Sequence, residues 1–245
     1  MSDNLMIFVN LRRALLITGC LLACAKAQAN IQVEPMTVRL NPRYTGMIAV
    51  TSKSTDAQFI QSRVVEIAYP GTPQEQENPT KPGQLNSLVV TPSKFALPAG
   101  NSQQIRLINL TSPQQEKIYR VWFQSMTPEQ LHYPETATTW ATDLAVTLAW
   151  GVVVMVPPAT PTFAVSYRSA TGEIINTGNL HIHLRRIGLC HDTACRWSSV
   201  KKNIYPGQSW NPAMVKLTAS TIGYLSLDYV DDYTGEQGTL KIALN

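Results

Sequence analysis

Three sets of residues in this chain have types and spacings that could do chemistry. The first is His181, His183, Cys190, His191 and Cys195, in which the two leading histidines share one face of a strand and the cysteines stand in a C-x4-C pair. Thiolates and imidazoles can hold zinc, but no paired C-x2-C spacing is present, and His191 lies between the two cysteines. A disulfide closing a short loop is therefore the favoured reading, and no metal ligands are assigned. The second set is Asp231-Asp232. Adjacent carboxylates in a strand or turn point apart and cannot share a proton, so this pair reads as a polar turn before Gly235. The third set is Arg39, Arg63, Arg106 and Arg120, each inside an apolar strand segment. A strand arginine usually extends into water from the wet face of its sheet. Arg120 is crowded by Tyr119, Val121, Trp122 and Phe123, and a half-buried guanidinium needs an anionic partner that fits its planar fork. No G-x-S-x-G, H-E-x-x-H or glycine-rich phosphate loop is present, so no catalytic machinery or cofactor is expected.

The elements that carry these residues are strands. Residues 144–150 alternate, with Leu144, Val146, Leu148 and Trp150 on one face and Ala145, Thr147 and Ala149 on the other. From Gly151 to Val156 the alternation gives way to a continuous apolar run, which reads as buried on both faces. Either the domain's own second sheet covers the surplus apolar face of the first half, or another protein does. Upstream, residues 47–50, 59–67, 88–91, 104–110 and 118–123 are further short β-rich runs, and residues 69–83 form a proline- and charge-rich loop. Seven or so strands at this spacing predict an antiparallel sandwich. Three prolines in residues 157–161 stop the strand and mark a linker. After it, residues 163–167, 174–175, 180–184, 215–217, 224–230 and 239–243 predict a second, smaller set of strands.

The leading residues read as a secretory signal peptide. Arg12-Arg13 precede the apolar stretch 14–25, and Ala27-Gln-Ala29 is an A-x-A cleavage pattern. The expected division is 1–29 signal peptide, 30–157 first domain and 158–245 second domain. A rival reading takes Ile17-Thr-Gly-Cys20 as a lipoprotein box, which strands the apolar residues after Cys20 in the mature chain. Cleavage leaves 216 of the 245 residues, with Cys190 and Cys195 as the remaining cysteines. Arg12, Arg13 and Lys26 against Asp3 account for half of the formal +4 charge. The remaining +2 is no nucleic-acid footprint. No second apolar stretch approaches the length of a membrane span.

Taken in order, several pieces resemble the PapD-like periplasmic pilus-assembly chaperones, nearest to the alternate branch that serves class 5, colonisation-factor fimbriae. They are Ser52-Lys-Ser-Thr-Asp56, Thr91-Pro-Ser-Lys94 with Leu97-Pro-Ala-Gly100, Ile118-Tyr-Arg-Val-Trp-Phe123 and Thr142-Asp-Leu-Ala-Val146. In the second half they are Asn176-Thr-Gly-Asn179, Lys202-Asn-Ile-Tyr-Pro-Gly207 and Tyr229-Val-Asp-Asp-Tyr233. The resemblance implies an all-β fold of two immunoglobulin-like sandwiches in a boomerang arrangement, with no enzymatic activity. It further implies a protein that lends residues 142–156 to fimbrial subunits lacking their last strand. Leu144, Val146 and Leu148 match the donor positions, Thr142 lies at the edge, and Trp150 continues the face. The implied partners are the major pilin, the tip adhesin and an outer-membrane usher. Whether the free protein caps itself as a homo-oligomer is left open.

The family grips the subunit's terminal carboxylate with an arginine and a lysine. Arg39 matches the arginine, the lysine position falls near Val153, and Arg120 is the candidate substitute. Asp232 matches the acidic member of the family's interdomain charge cluster, where Pro157 stands in place of an arginine. An immunoglobulin-like fimbrial subunit or adhesin is the alternative. Such a subunit should carry a separate N-terminal donor extension, whereas residues 30–38 run into the first strand without a spacer.

Overall fold

A computed structural model of the chain describes residues 30–80, 88–126, 148–212 and 223–244. The expected signal peptide, the expected strand at 215–217 and the donor positions Thr142, Leu144 and Val146 lie outside the described residues. The first half contains β1 (Ile31–Glu34), β2 (Thr37–Arg39), β3 (Thr45–Ser52), β4 (Gln58–Ala68), β5 (Gln76–Pro79), β6 (Leu88–Thr91), β7 (Lys94–Leu97), β8 (Ser102–Asn109), β9 (Lys117–Met126) and β10 (Ala149–Val156). They form two sheets, ordered β1-β3-β8-β6 and β2-β10-β9-β4-β5, with β7 also on β4. Among the described residues every pairing is antiparallel except β2 with β10, which is parallel.

The period-two patterns of the sequence become the core directly. Ile48 and Val50 of β3 and Ile105 and Leu107 of β8 face Ile60, Tyr119, Val121, Phe123, Val152 and Val154 of the opposing sheet. Each buried side chain of this size contributes about 1.5–3 kcal/mol.

The second half contains β11 (Val165–Arg168), β12 (Glu173–Asn176), β13 (Ile182–His191), β14 (Ala194–Ile204), β15 (Ser209–Trp210), β16 (Tyr224–Val230) and β17 (Gln237–Ala243). Its sheets are ordered β11-β12-β15 and β14-β13-β16-β17. Ile174, Leu184, Ile187, Ile204, Leu225 and Leu227 form its core. The fold is all-β, with two packed sandwiches. Among the described residues no helix is long and apolar enough to cross a membrane.

Two elements differ from the sequence reading. Residues 76–79, read as loop, form the edge strand β5 against β4. Residues 182–204 form a long hairpin of β13 and β14, of which only positions 182–184 were expected to be strand. β5 and β14 each lie at a sheet edge and are mostly exposed, so neither shows the apolar alternation of a buried strand.

Candidate functional site

Along β10 a single ridge of side chains runs from inside the protein to its surface. Val152, Val154 and Val156 are fully buried in the first core. Trp150, on the same face, is half-buried against that core, and Leu148 beyond it is 55% exposed. Thr142, Leu144 and Val146 precede it in the same alternate register of the sequence. The backbone opens in the same direction. β2 pairs with β10 only over Val153–Met155, and Met36 O accepts a hydrogen bond from Val153 N. Among the described residues, Ala149 to Val152 pair with β9 alone, leaving one side of the strand open. Met36, at the end of the β2 cover, is also exposed.

Both candidate anchor arginines stand on the opposite face of this sheet, which looks toward the second sandwich. There Val65, Ile67, Ile118 and Met155 form a small apolar cluster that touches Tyr205 and Tyr233 of the second half. Arg39, in register with Met155, donates from Nη2 to Asp232 Oδ2 at 2.9 Å, and its side chain stays 38% exposed. Arg120, in register with Val153 and Val65, has its anionic partners within its own domain. Its Nη1 donates to Glu77 Oε1 at 2.6 Å and its Nη2 to Glu75 Oε1 at 2.9 Å. Burial lowers the Arg120 pKa, but the hydrogen bonds to Glu77 and Glu75 outweigh it and the net shift is upward. The guanidinium lies over the Trp122 ring, whose Nε1–H also donates to Glu77. Trp122 in turn lies against Gly151, where an added Cβ would sit 2.9 Å from the ring. The glycine that interrupts the apolar run is therefore a packing requirement.

The junction between the sandwiches is built around His181. Its ring is 1% exposed and lies between two carboxylates. Nδ1 is 2.8 Å from Glu116 Oε1, and Nε2 is 3.2 Å from Asp232 Oδ2. Glu116 precedes β9 and has a fully buried side chain. It also accepts the His181 backbone N–H at 2.9 Å and the Tyr233 hydroxyl at 2.8 Å. Asp232, just after β16, accepts from His183 Nδ1 at 2.8 Å on its other oxygen. Burial raises the Asp232 pKa, but hydrogen bonds from His183, Arg39 and His181 overcome that effect and hold it at about 2. Asn179 ties the junction further, with Nδ2 donating to Gln114 O and to Thr160 O. Beside it lies a cleft of about 830 Å³, lined from both halves by residues including Asn109, Glu116 and Tyr205.

Cys190 and Cys195 are disulfide-bonded and lie directly opposite each other near the β13–β14 turn. The cysteines are thus oxidised, and His181 and His183 are turned to carboxylates at the other end of β13. Asp231 and Asp232 do point apart. Asp231 caps the turn through Tyr233 N and Thr234 Oγ1, while Asp232 enters the junction. The sequence reading missed Glu116 and the cationic role of His181 there. The available signal was a pair of histidines alternating with Ile182 and Leu184 at the start of an apolar strand.

Over 220 residues the chain is 30% identical to a CS1 fimbrial protein of Escherichia coli, covering 86% of this chain and 91% of that protein. A CFA/I fimbrial protein of Escherichia coli is 30% identical over 202 residues, 80% of this chain and 84% of its own length. Among solved structures, the class 5 fimbriae chaperone CfaA superposes with a TM-score of 0.71 at 26% identity, over 86% of this chain and 97% of that one. A chaperone–tip adhesin complex of CFA/I fimbriae biogenesis gives a TM-score of 0.70 at 25% identity, over 87% and 97%. No protein-family model matches the chain.

Proposed function

The chain belongs to the class 5, alternate branch of the PapD-like fimbrial chaperones, and on that premise we propose that it caps fimbrial subunits by donating a strand. The observation that carries this reading is the ridge on β10. Its buried end is seated in the first core, its outer end at Leu148 is exposed, and one side of Ala149–Val152 has no strand partner among the described residues. A subunit lacking its last strand supplies both missing features, a groove for alternate side chains and a backbone edge to pair. Chaperone–pilin pairs are a standing example of such strand addition.

Leu144, Val146 and Leu148 enter the groove, with Thr142 at its rim and Trp150 where the groove meets the protein's own core. Burying three such side chains is worth roughly 5–9 kcal/mol gross, before the costs of ordering. That suffices to hold an aggregation-prone subunit without ATP, while still allowing a matching strand to displace it. Residues 30–157 form the subunit-binding domain and 158–245 the second domain, after removal of 1–29 on export to the periplasm. The partners are the major pilin, the tip adhesin and an outer-membrane usher, and self-capping of the open edge gives the free protein a homo-oligomeric form.

Of the two anchor candidates, Arg39 is the better placed for a subunit carboxylate. It has one ion-pair partner and a partly exposed side chain, whereas both terminal nitrogens of Arg120 are engaged by Glu77 and Glu75.

Co-expression with fimbrial subunits of the same strain tests the reading. Val146→Asp should leave the protein folded by circular dichroism while the subunits are degraded or aggregate. Subunits recovered at the wild-type level beside a folded Val146→Asp variant would overturn it.

A further inference from the structure

We infer that Glu116, His181 and Asp232 form a proton-operated lock between the two sandwiches, closed while His181 is an imidazolium and released when its ring loses a proton. The geometry carries this. Both ring nitrogens face carboxylate oxygens, Nδ1 at 2.8 Å and Nε2 at 3.2 Å, so both must donate, and only the cation has two N–H groups. A neutral ring would turn a lone pair on one of two buried acceptors. The three residues also span the junction. Glu116 comes from the first sandwich, while His181 and Asp232 come from two segments of the second.

The surroundings fix the sign. Arg39 of β2 and His183 of β13 face the same Asp232 carboxylate. Tyr233 donates to Glu116, and the Tyr205 ring lies 5.5 Å from the imidazole. Lys117, next to Glu116, is turned away to Glu66, and Asp231 is held in its own turn. Burial disfavours the His181 cation, but the hydrogen bond and charge of Glu116, then those of Asp232, outweigh it and raise the pKa. A histidine with a raised folded-state pKa gives stability that is fully present below its unfolded value, about 6.5, and is lost as pH rises through the folded value. The lock is therefore shut in mildly acidic and neutral surroundings and opens on the alkaline side. His181 acts as a positioning residue, setting the domain angle through Glu116 and Asp232, and through Asp232 the seat of Arg39.

The test uses the free full-length mature protein, so its outcome is independent of whether subunits are captured by strand donation. The His181 ring is titrated by NMR, with its signal assigned by its loss in His181→Gln. Spin labels at Lys53→Cys and Lys201→Cys report the distance distribution between the sandwiches. His181 should titrate above the ordinary histidine value, and the distance distribution should broaden over the same pH range. In Glu116→Gln the midpoint should fall, and the distribution should be broad throughout. A wild-type midpoint at or below about 6.5, or a distribution of constant width from about pH 6 to about pH 10, would overturn the lock. The wild-type titration decides alone if either variant fails to fold.

Discussion

Tyr119, Val121 and Phe123 on β9 are cut off from water, and so is Glu116, just before that strand. The two neighbourhoods are dry for opposite reasons. Around Phe123 the sandwich interior is apolar side chains from two sheets, held by burial that has no direction and no charge. Around Glu116 the interior is a carboxylate, an imidazole, a second carboxylate and a tyrosine hydroxyl, each held by a directed hydrogen bond. Cores of the first kind tolerate repacking and ignore pH. A junction of the second kind is costly to disturb, because removing one member strands another without its partner. It also answers to protons. The first interior makes a domain, while the second fixes how two domains meet.

The largest expected effects pit one interior against the other. Glu116→Ala should cost about 3–5 kcal/mol near pH 6, since it leaves a buried donor set without its acceptor. The loss should shrink at alkaline pH, where His181 has already given up its proton in the wild type. Leu107→Ala, in the apolar core, should cost about 2–5 kcal/mol. That loss should be the same at both pH values, because nothing at the site titrates. Urea unfolding of both variants at the two pH values checks the contrast. Parallel pH profiles for the two variants would erase it.

A smaller effect lies at the acid end of the junction. Asp232 has its folded-state pKa depressed to about 2, chiefly against the opposing cost of burial, by hydrogen bonds from His183, Arg39 and His181. A depressed carboxylate contributes stability that is present above its unfolded value, about 3.9, and is lost as pH falls through the folded value. The wild type should therefore lose stability between about pH 4 and about pH 2, and Asp232→Asn should be flatter across that window. His181 and Asp232 thus bracket the junction from opposite sides. Thermal melts across the acid range decide whether the bracket exists, and equal slopes for wild type and Asp232→Asn would remove its lower half.

The contrast also explains what could be read from residues alone. β16 at Tyr224–Val230 and most of β4 were legible because apolar residues recur with the strand period. β5 was not, since Gln76-Glu77-Asn78-Pro79 has no large apolar side chain and gains its place only by pairing with β4. The long β14 was hidden in the same way, being an edge strand with charged residues on an exposed surface. The ridge of Leu148 and Trp150 was visible as a pattern, although sequence alone left open what covers it. The junction was legible only in part. Asp232 was expected as its acidic member, but the expected arginine position is Pro157, and the cations come from Arg39 and His181. Glu116 and His181 are 65 residues apart, and no local periodicity joins two polar residues across a domain boundary.

Arg120 marks the lower end of the scale. Its crowded neighbours in the sequence called for an anionic partner, and Glu75 and Glu77 occupy its two terminal nitrogens. These carboxylates sit in and beside the very strand that the sequence concealed. The pairs are partly exposed, and such pairs contribute roughly 0–1 kcal/mol. Arg120→Ala should thus change unfolding free energy by no more than about 1 kcal/mol, most of it through lost packing on Trp122. Arg39→Ala should act differently, loosening the grip on Asp232 and weakening subunit retention in co-expression while Arg120→Ala leaves retention near the wild-type level. If Arg120→Ala instead abolished retention and Arg39→Ala did not, the anchor would pass to Arg120. Glu75 and Glu77 would then be the contacts that an incoming carboxylate must displace.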